Sequence, residues 1–249
     1  MQVQQMEESV IYVGCAGWSI PKSHAADFLK TGSHLERYAS RFRAVEINSS
    51  FYRPHRVGTY VRWADSVPEF FKFAVKVPKE ITHSCRLVNI EEALDRFLME
   101  CAGLGAKLGP LLVQLPPSLK FDAATAHEFF TALRERFSGQ VVCEPRHISW
   151  FSPEVENFLN NHQVARVAAD PALTSEAAVP AGWDGLVYYR LHGSPRVYYS
   201  AYSADYLDSL GKNLAASAAR GVPVWCIFDN TAEGAATADA LGIIERLQS

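Results

Sequence analysis

Short apolar runs alternate with longer amphipathic segments along the whole chain. The runs occupy residues 10–15, 44–47, 71–77, 110–115, 141–143, 164–169, 186–191 and 224–228. They are built largely of Val, Ile, Leu and aromatic residues, the pattern of strands covered on both faces. Between them, apolar positions recur at helical spacing over residues 34–41, 59–65, 90–104, 123–137, 153–160, 204–219 and 232–247. Several of these segments carry their own punctuation. Asp122 is placed to cap the helix that Ala123 opens, and Ser138-Gly139 closes it. Ser152-Pro153 reads as an N-cap followed by proline in the first helical position. Gly221 stops the sixth of these segments, and Pro223 leads into the last run. Where a helix is due between the sixth and seventh runs, residues 171–184 hold two prolines and a glycine and read as a loop.

Strands alternating with helices predict a parallel α/β fold, and eight strands is the number that closes a barrel. The expected fold is therefore a single (β/α)₈ TIM barrel over residues 1–249, irregular around its sixth helix, with residues 1–9 as a polar N-terminal extension. A doubly wound open sheet is the alternative, and it would place a glycine-rich phosphate turn after its first strand. Gly14-Cys15-Ala16-Gly17-Trp18 lacks the third glycine of that turn, and no helix starts directly after it.

Composition narrows the function classes without choosing one. The chain has 249 residues, 48% hydrophobic and 20% charged, with 24 Lys and Arg against 27 acidic residues and a formal charge of −3. That balance gives no chain-wide attraction for nucleic acid, although a local basic pocket stays open. No apolar run approaches the roughly 18 residues of a membrane helix. The acidic start reads as neither signal peptide nor anchor, so no membrane partner is expected. The five cysteines form no C-x-x-C pair, and buried reduced thiols in the cytoplasm are the expectation.

In a barrel, the C-terminal strand ends feed the site. Glu46 and Asn48 share one face of the second strand, and Lys72, Ala74 and Lys76 one parity of the third. Gln114 ends the fourth, Glu144 and Arg146 share a face after the fifth, and Asp170 ends the sixth. Tyr188, Arg190 and His192 line one side of the seventh, and Asp229-Asn230 end the eighth. Charges thus gather at strand ends and are scarce in strand bodies. An ionic layer that only fills the mouth is one reading; contributions from seven strands favour a functional pocket.

The segment Glu46-Ile-Asn-Ser-Ser-Phe-Tyr-Arg53 is less generic. Together with Gly14-Cys-Ala-Gly-Trp18, Phe73-Ala-Val-Lys76, Ile81-Thr-His83, Gln114-Leu-Pro-Pro117, Glu144-Pro-Arg-His-Ile-Ser-Trp150, Arg190-Leu-His-Gly193 and Asp229-Asn-Thr231, it resembles the YecE-like family (domain of unknown function 72) from about Tyr12 to the C-terminus. The resemblance implies a bacterial TIM barrel with its site at the strand ends, and no settled activity. Pro145 stands where the family commonly has an aromatic residue, and Ile20-Pro21-Lys22 replaces an aromatic-rich segment.

Three chemistries suit the ring. In the first, an enzyme binds an anionic small molecule and moves protons in it by isomerisation, elimination or hydrolysis. Arg190 and Arg146 hold the anion, Lys76 polarises a carbonyl or phosphate, Glu46 or Glu144 is the base, and His147 and His192 carry protons. Trp18, Asn48, Tyr52, Arg53, Gln114 and Asn230 complete the substrate-binding set. No cofactor is called for, but a divalent metal stays open as the second chemistry, with Glu46, Glu144, His147, His192 and Asp229 as ligands. It would make the protein akin to barrel phosphodiesterases or sugar isomerases. Three cations in the ring and the lack of an H-E-x-x-H spacing weigh against it. The third is a non-catalytic ligand or single-strand nucleic-acid binder using Trp18, Tyr52, Arg53, His55 and Arg56. A substrate lid accounts for those five residues better. Oligomeric state is not legible.

Overall fold

The computed structural model describes residues 11–248. The expected polar extension over residues 1–9 lies outside the described residues, as does Val10 at the head of the first expected strand. The strands are β1 (Ile11–Cys15), β2 (Ala44–Ile47), β3 (Lys72–Lys76), β4 (Leu108–Gln114), β5 (Val141–Glu144), β6 (Val164–Arg166), β7 (Ala168–Asp170), β8 (Ala181–Gly182), β9 (Val187–Leu191) and β10 (Val224–Phe228). The α-helices are α1 (His34–Ala39), α2 (Val57–Asp65), α3 (Glu91–Cys101), α4 (Ala123–Arg136), α5 (Pro153–Asn161), α6 (Ala204–Ala218) and α7 (Ala235–Gln248).

The class is mixed α/β with parallel sheets. One sheet has the order β1-β10-β9-β7 and the other β2-β3-β4-β5-β6-β8; only the short β6–β8 pair is antiparallel. Helix starts follow local chemistry. Ser33 and Glu36 form a reciprocal capping box at α1, and the side chains of Asp122, Ser152 and Ser203 each accept the backbone N–H three residues on.

Strand parity separates two apolar layers. Val13, Val45, Phe73, Val113, Cys143, Val164, Tyr189 and Cys226 pack outward in the main core, which also takes in helix residues such as Leu94, Phe130 and Leu214. The opposite parity of both sheets meets in a second cluster: Ala16, Ala44, Ala74, Leu112, Val142, Ala165, Val167, Tyr188, Trp225 and Ile227 among others. Small residues there make room for large ones. Trp225 stacks on Tyr188 with 6.0 Å between ring centroids and on Tyr12 with 4.8 Å. A Cβ on Gly109 would stand 2.7 Å from the Trp225 ring, so glycine is required where β4 passes it.

The two sheets adjoin at two seams. At the first, the Tyr38 hydroxyl sits between β1 and β2: it accepts from Cys15 N–H at 2.8 Å and donates to Ala44 O at 3.0 Å. Past it, Gly17 N–H donates to Glu46 O at 2.9 Å, and Ala16 bridges Glu46 in parallel. Backbone approach is so close that a Cβ on Gly14 would lie 2.1 Å from Ala44 O. At the second seam a single run of chain serves both sheets, since only Val167 separates β6, paired with β5, from β7, paired with β9.

Three details depart from the expected elements. The single strand expected over residues 164–169 is divided between the sheets at Val167. The region 171–184 holds a short 3₁₀ turn, Glu176–Ala178, and β8, in place of a helix. The last helix begins at Ala235 rather than Ala232, because Gly234 takes a left-handed φ of 86° that ends the preceding turn first.

Candidate functional site

Above the apolar inner cluster, at the C-terminal ends of the strands, lies a layer of buried charge. β2 supplies Glu46, β3 Lys76, β5 Glu144 and β9 Arg190, while His192 directly follows β9 and Asp229 directly follows β10. The side chains of Glu46, Glu144 and Arg190 are at most 1% exposed. Their parity continues that of Ala44, Ala74, Val142, Tyr188 and Ile227 below, so alternation along each strand aims them inward.

Arg190 is the hub. Its Nε and Nη2 donate to Glu46 at 2.8–3.2 Å, Nη1 to Glu144 Oε2 at 3.0 Å, and Nη2 also lies 2.9 Å from Asp229 Oδ2. The Tyr188 hydroxyl donates to the remaining side of Glu46, at 2.9 Å from Oε2. The planar fork of Arg190, expected to clamp a ligand anion, is here committed to three carboxylates of the protein, and the side chain is buried.

His192 links two of those carboxylates, with Nδ1 3.0 Å from Asp229 Oδ2 and Nε2 2.8 Å from Glu144 Oε1. Arg146 reaches the same Glu144 oxygen through Nε at 3.1 Å and Nη2 at 2.8 Å, and its Nη2 lies 3.1 Å from His192 Nε2. A hydrogen on Nε2 would serve Glu144, whereas a lone pair there would serve Arg146. The ring thus stands where one proton decides which partner it holds. Arg146 is the most exposed cation of the layer, its side chain 28% exposed, and the Tyr198 hydroxyl is a further partner.

The electrostatics follow from burial opposed by these pairs. Burial alone would raise Glu144, but Arg146, Arg190 and His192 outweigh it and hold the carboxyl well below the usual range. Burial likewise opposes ionisation of Asp229, and Arg190 and His192 overcome it, so its pKa is lowered. Lys76 is the exception. Burial and the Arg190 charge depress its ammonium to about 8, against the opposing pull of Glu46, Glu144 and Asp229. Its Nζ makes no hydrogen bond among the described residues and lies 4.1 Å over the Phe51 ring. The layer therefore holds fixed carboxylates, one imidazole between two of them, and one amine that gives up its proton far more readily than an ordinary lysine.

The other expected residues are placed differently. His147 Nδ1 lies 2.9 Å from the Ser149 hydroxyl and accepts from Ser149 N–H, capping the Ile148–Trp150 turn, and it bonds to none of the ring. Gln114 Nε2 donates to the neighbouring Leu115 O at 2.7 Å. Trp18 packs edge-on against Trp63 at 5.0 Å. Tyr52 is 74% exposed. With Arg53 it borders a cleft of about 290 Å³ whose other walls include Pro54, Lys79, Glu80, Arg96 and Glu100, outside the ring. Asn230 is fully buried, its Nδ2 donating to Ser200 O and Asp239 Oδ2 at 2.8 and 2.7 Å. Asn48 Oδ1 is buried without a hydrogen-bond partner.

Sequence reasoning placed Tyr188 beside Arg190 and Asp229 at the end of the eighth strand but gave Tyr188 no role and Asp229 only that of a metal ligand, and it missed Asp239. Tyr188 shares the Arg190 parity, which was the available signal. Asp239 falls with Ala236, Ala240 and Ile243 on the buried face of α7, an acid on an apolar helix stripe. Its carboxylate accepts from Tyr202 N–H and Asn230 Nδ2 and fixes the loop after β10. Among the described residues no three His, Cys, Asp or Glu side chains are placed to hold a metal ion. No helix among them is long and apolar enough to cross a membrane.

A family model described as "Protein of unknown function DUF72" matches residues 12–249. The chain belongs to the DUF72 family. It is 30% identical over 168 residues to UPF0759 protein YecE of Escherichia coli K12, a match spanning 65% of this chain and 59% of that protein's length. UPF0759 protein YunF of Bacillus subtilis is 24% identical over 96% of the chain and 95% of its own length. Among solved structures, a DUF72 family protein of Enterococcus faecalis superposes with a TM-score of 0.81 at 23% identity, covering 96% of both chains. One of Thermotoga maritima superposes with a TM-score of 0.78 at 24% identity, covering 96% of this chain and 100% of that one. These likenesses carry the fold and the family, and none of the names states an activity.

Proposed function

We propose that this chain is a single-domain (β/α)₈ barrel enzyme that binds an anionic small molecule, a carboxylate or phosphate, at the strand C-termini and transfers a proton within it. Closure of the barrel is supported by the two seams. The Tyr38 hydroxyl and the Ala16–Glu46 bridge join β1 to β2, and the β6–β7 segment passes from one sheet into the other. Counting that segment as one strand and β8 as an appendage gives eight around the ring, with the second apolar cluster as its filled interior. The free cysteines suit a cytoplasmic protein.

The anion reading rests on one observation: Arg190 absorbs the carboxylates, leaving as the layer's other cations Arg146, part exposed though it also meets Glu144 and Tyr198, and Lys76, which has no acceptor among the described residues. Arg146 would hold the ligand anion by its exposed edge. Lys76 would meet the reacting group, and His192, backed by Asp229, would carry the proton. A divalent metal is less well served, because oxygens of the three acids are turned onto a guanidinium. Nucleic acid is not favoured as partner, since Tyr52 and Arg53 open onto a separate cleft that also holds Glu80 and Glu100.

Calorimetric titration with oxalate, inorganic phosphate and uncharged oxamide tests the reading. Oxalate or phosphate should bind, oxamide should not, and Arg146→Ala should abolish the heat. Equal binding of oxamide, or binding indifferent to Arg146→Ala, would remove the anion site from this mouth.

A further inference from the structure

Among the described residues two lysines are almost fully buried, and they are treated in opposite ways. Lys107, 8% exposed, donates from Nζ to Ala64 O and Val67 O at 2.7 Å each, an ammonium locked into the frame. Lys76, 6% exposed, has no hydrogen-bond acceptor among the described residues; its nitrogen rests on the Phe51 ring beside a hydrogen-bonded ring of acids and bases. An ammonium in this mostly buried position without a protein acceptor is costlier to keep than one paired as Lys107 is. Ser50, the residue next to Phe51, donates to Lys76 O at 2.6 Å, which fixes the strand end from which the amine projects.

We propose that Lys76 is a Schiff-base nucleophile, taking as substrate a small aldehyde or ketone that bears a carboxylate or phosphate. This deepens the anion-site reading above and rests on it for the ligand's charged end. The amine adds through its nitrogen lone pair to the carbonyl carbon, and the carbonyl π electrons move to oxygen. The carbinolamine then loses that oxygen as water, so that both amine hydrogens leave on the water and a C=N bond replaces C=O. Once protonated, the imine draws electrons from the adjacent carbon, the step for which an imidazole held between two carboxylates is suited. Desolvation and the neighbouring Arg190 charge supply the free base this requires. At about pH 7.5 such an amine is deprotonated on the order of a hundredfold more often than an ordinary lysine.

The test uses the whole native protein, glyoxylate as the smallest anionic aldehyde, and cyanoborohydride to trap the imine as a carboxymethyl group, mapped by peptide mass spectrometry. Lys76 should be modified at least about tenfold faster than exposed Lys30, with Lys107 unmodified. Arg146→Ala should slow labelling of Lys76 alone. Labelling of Lys76 no faster than Lys30 overturns the proposal. The two readings fail separately. Oxalate binding lost with Arg146→Ala, but no preferential adduct, leaves an anion site without the imine. Preferential labelling by uncharged acetaldehyde and glyoxylate alike, unaffected by Arg146→Ala, leaves the nucleophile and removes the anion site.

Discussion

Replacing Arg190 with methionine removes the one group on which three buried carboxylates converge. In the native protein Glu46, Glu144 and Asp229 are 0%, 1% and 5% exposed, and Arg190 contacts them at 2.8–3.2 Å. Breaking one buried pair costs about 3–5 kcal/mol, mostly through the charge left behind. Here Glu144 keeps Arg146 and His192, and Asp229 keeps His192, whereas Glu46 keeps the Tyr188 hydroxyl and the charge of Lys76 but no guanidinium among the described residues. The expected loss is therefore about 4–5 kcal/mol at neutral pH, a large part of the roughly 5–15 kcal/mol that holds a domain together. The acid dependence should also weaken. In the native protein Glu144 and Asp229 titrate below their unfolded values, so their stabilisation is present above about pH 4 and is lost as pH falls through the folded values. In the variant, Glu144 and Asp229 lose the Arg190 charge that helps hold them down, so the stability lost on acidification should shrink. Urea denaturation at about pH 4 and about pH 7 reads both effects. A loss below about 1 kcal/mol, or a pH profile parallel to the native one, would refute the hub role of Arg190.

Lys76→Met should stabilise by about 1–3 kcal/mol at pH 7, because it removes an ammonium that burial disfavours. It should also erase the native rise in stability between about pH 8 and about pH 10.4, the window in which the folded lysine is neutral and the unfolded one still charged; urea midpoints at both ends check this. Tyr38→Phe leaves Cys15 N–H and Ala44 O without the hydroxyl they share, and should cost about 2–3 kcal/mol in the same assay. Gly14→Ala forces a Cβ to within 2.1 Å of Ala44 O across the same seam, and should lower the melting temperature more than Tyr38→Phe does. Equal melting temperatures for Gly14→Ala and the native protein would show that β1 and β2 are not held at that distance.

Most of the ring was readable in the sequence because strand alternation has a period of two. Glu46, Lys76, Arg190 and His192 each sit on the parity that faces inward, and so do the small or apolar residues before them. What alternation does not encode is which charges meet. Arg190 lies more than forty residues from Glu144 and over a hundred from Glu46, and their pairing depends on strands brought round by the whole fold. The same limit explains His147, which follows the right strand but has Ser149 within reach and is spent as a local cap. Strand six was legible as an apolar run but not as a run divided at Val167, because its partners on either side are set by distant chain. Asp239 hid for a different reason: its partners are a loop amide and an asparagine that no periodicity connects to it.

The central claim is that the mouth above Arg190 receives an anion between Arg146 and Lys76. A crystal structure of the protein grown with oxalate tests it most directly. Oxalate should lie within hydrogen-bond distance of both side chains, with the Arg190 pairs unchanged beneath it. Oxalate seated instead in the Tyr52–Arg53 cleft, or drawing Arg190 away from its carboxylates, would contradict it.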